Sequence, residues 1–136
     1  MRALIVDDSK FIRQYLRQHL ERAGVTCEEA ENGSVAVDLL RHDSAFDLML
    51  SDVNMPVMNG LECVRQIRLL NLAPRMKVVM VTTEADNSSI NQALDFGADE
   101  FLMKPFTPRS LSEKLLLIGF DLASVTAAPN RLEYLR

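Results

Sequence analysis

A chain of 136 residues that is 48% hydrophobic is sized for one compact domain with a full core and no need of staples. Its formal net charge of -4 supplies no basic stripe, which argues against non-specific nucleic-acid binding. The first apolar run is too short for a signal peptide and no segment reaches about 18 apolar residues, so a cytoplasmic protein that does not span a membrane is expected.

Ala3-Leu4-Ile5-Val6 is a short apolar run of the kind buried on both faces of a sheet, and it ends on Asp7 and Asp8. Ser9 can cap a helix running to about Arg22, with Ile12, Leu16, Leu20 and Ala23 on its apolar stripe and Gly24 as its stop. Val25 to Ala30, of mixed polarity, suits an edge strand, and a second helix starts near Gly33. Asp47-Leu48-Met49-Leu50 is the next strand, with Asp52 just beyond it and a helix starting near Gly60. Val78-Val79-Met80-Val81 ends on Thr82. A helix from about Asn87 to Phe96 follows, unusually polar through Ser88, Ser89, Asn91, Gln92 and Asp95, so its outer face is free to serve as an output face. Phe101-Leu102-Met103 ends on Lys104, and the last helix begins near Pro108. The segment from Gly119 lies outside this alternation, so residues 1–118 are read as the domain and 119–136 as an extension. Phe120, Leu122, Val125, Leu132, Tyr134 and Leu135 give that extension apolar surface to dock, and a short helix after Pro129 is expected.

Five strands alternating with five helices imply an α/β fold: a parallel sheet covered by helices on both faces through right-handed crossovers. Ligands bind beyond the carboxyl ends of such strands, where Asp7, Asp8, Asp52, Thr82 and Lys104 would gather. Three carboxylates together repel one another unless a hard cation neutralises them, which suits Mg2+, with Mn2+ as a substitute. A carboxylate at Asp52 can attack a phosphoryl donor while the metal, a lysine and a hydroxyl share the charge on the transferred oxygens.

The chain resembles the response-regulator receiver domains, and among them the single-domain CheY-like type. The resemblance spans residues 1 to about 118 and rests on Asp7-Asp8-Ser9, Asp52-Val53-Asn54-Met55-Pro56-Val57-Met58-Asn59-Gly60, Thr82, and Lys104-Pro105-Phe106, in that order at the strand ends. It implies strand order 2-1-3-4-5 and Asp52 as phosphoacceptor. It also implies Asp8, Asp52 and the backbone carbonyl of Asn54 as metal ligands, with Asp7 acting largely through metal-bound water, and Thr82 and Lys104 as grips on the phosphoryl oxygens. Further implications are a cis Lys104-Pro105 bond and Phe101 as a switch aromatic that turns inward when Thr82 moves. Phenylalanine lacks the hydroxyl that many relatives carry there as tyrosine, so Phe101 is expected to switch by packing. Asn54 and Glu84 flank the approach of hydrolytic water and match the chemotaxis type, whereas Thr83 stands where many relatives keep glycine or alanine and should narrow access. Gly60 is expected to let the chain turn tightly into its helix.

The implied function is a two-component signalling switch, phosphorylated by a histidine kinase or phosphotransfer protein. It would read out through the fourth helix, fifth strand and fifth helix to a protein target or a second copy of itself. Catalysis of its own phosphorylation and dephosphorylation is expected, with no turnover of an external metabolite. A haloacid-dehalogenase-type Mg2+ phosphatase needs a second aspartate two residues on as general acid, where this chain has Asn54. A flavodoxin-like cofactor binder would have its phosphate repelled by Asp7 and Asp8. An interaction module regulated without phosphorylation is the third alternative, and the complete set of site residues does not favour it. Cys27 and Cys63, without CxxC spacing, read as buried reduced thiols. His19 and His42, with no second ligand at i+4, read as helix residues outside any metal site. The seven methionines are read as core filler, with Met55 and Met58 near enough to the site to line a partner contact.

Overall fold

The computed structural model describes residues 1–83 and 87–122. Glu84 and the expected helix after Pro129, together with Val125, Leu132, Tyr134 and Leu135, lie outside the described residues.

The elements alternate strictly: β1 (Arg2–Val6), α1 (Lys10–Arg22), β2 (Thr26–Ala30), α2 (Gly33–His42), β3 (Leu48–Asp52), α3 (Gly60–Leu69), β4 (Lys77–Thr82), α4 (Asn87–Phe96), β5 (Glu100–Met103) and α5 (Pro108–Leu117). All strand pairs are parallel, in the order β2-β1-β3-β4-β5. The chain reverses its direction of travel across the sheet between β1 and β3, the point where open sheets of this kind form their binding crevice.

Alternate residues of the central strands feed two cores. Leu4, Val6, Met49, Val78 and Met80 pack with Ala36, Val37 and Leu40 of α2, Cys63, Val64 and Ile67 of α3, and Ala93 of α4. Ala3, Ile5, Leu48, Leu50, Val79 and Val81 face the other way, onto Leu16 and Leu20 of α1 and Leu111 and Leu115 of α5. Burial on both faces explains why these strands read as continuous apolar runs rather than alternating ones. β2, the outer strand, keeps the burial of Cys27 and Ala30 but leaves Thr26 and Glu28 exposed.

Polar residues begin the helices. The side chains of Ser9, Asn32 and Asn59 accept from the backbone amides of Ile12, Val35 and Glu62. Thr107 and Ser110 cap α5 reciprocally, ahead of Pro108 at its first position. Gly24, at φ 83°, closes α1 as expected. Packed structure continues past residue 118: Phe120 donates its amide to the Leu115 carbonyl at 2.9 Å, and Leu122 is buried against the α1/α5 side of the sheet.

At the end of the sheet where β4 begins, Arg68 of α3 reaches two backbone carbonyls and one carboxylate. Its Nε donates to the Gly97 carbonyl (3.1 Å), and Nη2 donates to the Met76 carbonyl (3.0 Å) and to Asp99 Oδ2 (3.2 Å). Gly97 has φ 112°, and a Cβ there would lie 2.6 Å from Arg68 Cγ, so both its backbone and its surroundings exclude a side chain.

Candidate functional site

The topology delivers the expected residues to one edge. Asp7 follows β1 and is 1% exposed, Asp8 is exposed beside it, and Asp52 closes β3. One carboxylate oxygen from each of Asp7, Asp8 and Asp52 can be chosen so that all three lie within 4.8 Å of one another. Lys104 bridges two of them, with Nζ 2.9 Å from Asp7 Oδ2 and 3.6 Å from Asp52 Oδ2. Thr82 is buried at the end of β4, one residue beyond Val81, the register partner of Asp52. Its carbonyl accepts the Lys104 amide at 2.8 Å. The Lys104–Pro105 peptide is cis.

Both oxygens of Asp7 are engaged, Oδ1 by the Ser9 amide at 2.8 Å and Oδ2 by Lys104. Asp52 Oδ1 accepts the amide of Val53 at 2.8 Å, and the amide of Asn54 also bonds to the carboxylate. Burial holds the Asp52 carboxyl above its ordinary range; the nearby Lys104 charge opposes this, Asp7 reinforces it, and the two amides oppose it. Three acids against one lysine leave an excess of negative charge in a partly buried pocket of hard oxygen donors. Such a set fits a small divalent cation.

The loop after Asp52 is held from both sides by glycines. Gly60 was expected to make a tight turn, but its backbone is helical and the left-handed residue of this loop is Val57, at φ 69°. What Gly60 supplies is space: a Cβ there would lie 2.0 Å from the Asp52 carbonyl oxygen, and its amide bonds to the Val53 carbonyl at 2.8 Å. Gly33 donates to the Met58 carbonyl at 3.0 Å, and a Cβ there would lie 2.8 Å from that same oxygen. Between these clamps, Met58 donates its amide to the Pro56 carbonyl at 2.8 Å across Val57. This is the rare γ-turn with a positive central φ, and its β-branched residue is 86% exposed.

Beside the acidic pocket, Phe11, Ile12, Tyr15, Thr83, Lys104, Pro105 and Phe106 line a mainly apolar groove of about 480 Å3. Thr83 is exposed on its wall. Phe101 is half-buried against the α2/α3/α4 core, with the Lys114 ammonium 4.7 Å above its ring. Met55 and Met58 are half-buried against the same core. Cys27 and Cys63 are buried free thiols, and burial pushes them up to about 11 and about 12 respectively. Neither histidine joins the carboxylate cluster.

The receiver-domain family model matches residues 3–116. The chain belongs to the response-regulator receiver family. The chemotaxis protein CheY homolog of Campylobacter jejuni is 40% identical over 116 residues, covering 85% of this chain and 89% of that protein. Chemotaxis protein CheY1 of Helicobacter pylori is 36% identical over 119 residues, covering 87% and 96%. Among solved structures, chemotaxis protein CheY4 of Vibrio cholerae superimposes with a TM-score of 0.80 at 36% identity, covering 86% of this chain and 97% of that one. A CheY-like receiver protein of Methanospirillum hungatei gives 0.78 at 33% identity, covering 93% and 96%. The chain is thus a CheY-like receiver of two-component signalling, with a histidine kinase upstream and target proteins downstream as its class of partners. Among the described residues, no helix is long and apolar enough to cross a membrane.

Three residues of this receiver site escaped the sequence reading. Arg13 reads as one more helix-surface charge, although its place one turn into α1 sets it within reach of the Asp7-Asp8 peptide. Val57 gives no signal because nothing in its type announces a positive φ. Gly33 marked a helix start, and only the folded chain shows that it seats the Met58 carbonyl.

Proposed function

We propose that Asp52 is the phosphoacceptor of this receiver and that Mg2+, with Mn2+ as a substitute, is held by Asp8, Asp52 and the Asn54 carbonyl, with Asp7 acting through metal-bound water. The engagement of both Asp7 oxygens supports that indirect role. The observation that carries the reading is the convergence of Asp7, Asp8 and Asp52 within 4.8 Å beneath a lysine that touches two of them. Bound there, the cation would neutralise carboxylate repulsion and the charge on the transferred oxygens.

An Asp52 carboxylate oxygen attacks the phosphorus of a phosphohistidine on the donor protein. The P–N bond breaks, the electron pair returns to the imidazole, and an acyl phosphate forms on Asp52. The two amides that bond to the carboxylate orient it for this attack. Lys104 and Thr82 take up the new phosphoryl oxygens, and Phe101 repacks as the conformational population shifts. The face formed by α4, β5 and α5 then binds a protein target or a second copy of the chain. The chain acts as a cytoplasmic switch rather than as an enzyme on an external metabolite, catalysing only its own phosphorylation and dephosphorylation.

Incubation with Mg2+ and phosphoramidate, followed by intact-mass measurement, tests the reading. One added phosphoryl group on the parent and none on Asp52→Ala is the expected result. An unmodified parent, or equal addition to the variant, would overturn it.

A further inference from the structure

Arg13 joins the acidic pocket from outside it. Its Nη1 donates to the Asp7 backbone carbonyl at 2.7 Å, and its Nε donates to Glu29 Oε1 at 2.9 Å. The side chain is 15% exposed. The carbonyl it holds belongs to the peptide that joins Asp7 to Asp8, two of the three clustered carboxylates. On the near side of this peptide, the Asp7 amide donates to the Ala30 carbonyl at 3.1 Å. Asp7 is therefore held at both of its backbone groups, its amide by β2 and its carbonyl, which is part of the Asp7-Asp8 peptide, by Arg13 of α1. Glu29 is fixed in turn, because Arg17 Nη1 holds its second oxygen at 2.7 Å and Arg17 Nε pairs with Glu21 at 2.7 Å.

We infer that Arg13 is a positioning residue for the divalent-cation site, clamping the Asp7-Asp8 peptide so that both carboxylates point into the pocket; this rests on the reading of that pocket as the Mg2+ site. Asp8 is exposed and, among the described residues, forms no ion pair comparable to the Lys104 bridge on Asp7, so its direction depends on the backbone that carries it. A guanidinium can grip Glu29 and the carbonyl together through separate N–H groups. A lysine has one ammonium centre and cannot reproduce that fork. Outer-shell groups of this kind set metal affinity through the geometry they impose on the ligands.

The experiment is calorimetric titration of the full chain with MgCl2, run on the parent, Arg13→Gln, Arg13→Lys and Arg17→Gln, each with a thermal melt. Arg13→Gln is expected to weaken Mg2+ binding about tenfold, and Arg13→Lys to recover only part of it. Arg17→Gln breaks the pairs with Glu21 and Glu29 without touching Asp7, so its affinity should stay within about twofold of the parent even where its melting point falls as far. An unchanged affinity in both Arg13 variants, or an equal loss in Arg17→Gln, would overturn the inference. Should Arg13→Gln fail to fold, the comparison of Arg13→Lys with Arg17→Gln decides alone. A parent that does not bind Mg2+ would overturn the metal-site reading itself, and this inference with it.

Discussion

The Lys104 ammonium stands closer to Asp7, at 2.9 Å, than to Asp52, at 3.6 Å. Its first partner in the unmodified protein is thus a carboxylate that is not the proposed acceptor. Asp7 has only 2% of its side chain exposed, so removing the lysine strands a buried charge. Lys104→Met is expected to destabilise the protein by about 3 to 5 kcal/mol at neutral pH, measurable by urea unfolding, and also to abolish the Mg2+-dependent phosphorylation. A variant as stable as the parent would show that the lysine balances nothing.

Asp52 carries a pH signature of its own. Burial raises its carboxyl pKa in the folded chain, against the pull of Lys104. The folded state therefore binds this proton more tightly than the unfolded chain, so ionised Asp52 lowers stability above its folded pKa. That penalty fades as the pH falls through the folded value toward the ordinary carboxylate range. Asp52→Asn should raise the melting point by about 2–5 °C at neutral pH without divalent cations, with the gain shrinking on acidification. A gain independent of pH would assign the effect to something other than this titration.

Gly60→Ala addresses the close approach of α3 to the acceptor strand. With a Cβ placed 2.0 Å from the Asp52 carbonyl oxygen, backbone must move, and a loss of about 3 kcal/mol is expected. Chemical denaturation gives the energy. The rate of phosphorylation by phosphoramidate should fall in parallel, since the displaced atom belongs to Asp52 itself.

Val57 makes the opposite prediction. A β-branched residue at φ 69° opposes a steric preference of about 1–2 kcal/mol, and at 86% exposure it offsets little of this by packing. Val57→Asn should stabilise the fold by about 0.5–1 kcal/mol. Thermal melts that place the variant at or below the parent would count against the strain.

Thr83 lies exposed on the groove wall beside Lys104. If its side chain restricts the approach of water to the acyl phosphate, Thr83→Ala should lose its phosphoryl group about threefold faster, a barrier change of ~0.7 kcal/mol. Decay of the phosphorylated species, followed by mass after removal of the donor, measures this. Equal or faster decay in the parent would remove Thr83 from the set that tunes signal lifetime.

Much of the fold was legible because its physics is local and repetitive. Doubly buried strands such as β4 show as unbroken apolar runs, Val78 to Val81 here, and Ser9 announces a helix by capping. The site was legible because a parallel sheet sends the residues after every strand to one edge. Relationships between elements were not. Sequence marked Gly60 as special but could not distinguish a left-handed turn from a crowded contact, since either demands glycine. It placed Lys104 near three acids without indicating that Asp7 would hold it first. Arg13 was invisible for a related reason: a charge on an amphipathic helix looks solvated until the carbonyl it serves is folded against it.

Arg68 ties the last turn of α3 to the backbone at Met76 and Gly97 and to Asp99. Gly97 is the residue immediately after α4, so α4 is anchored at its carboxyl end, far from Asp52. A displacement of α4 must then be a pivot about this foot rather than a slide along the sheet. The travel of each residue would grow with its distance from Gly97, making the first turn of the helix the long arm of the lever.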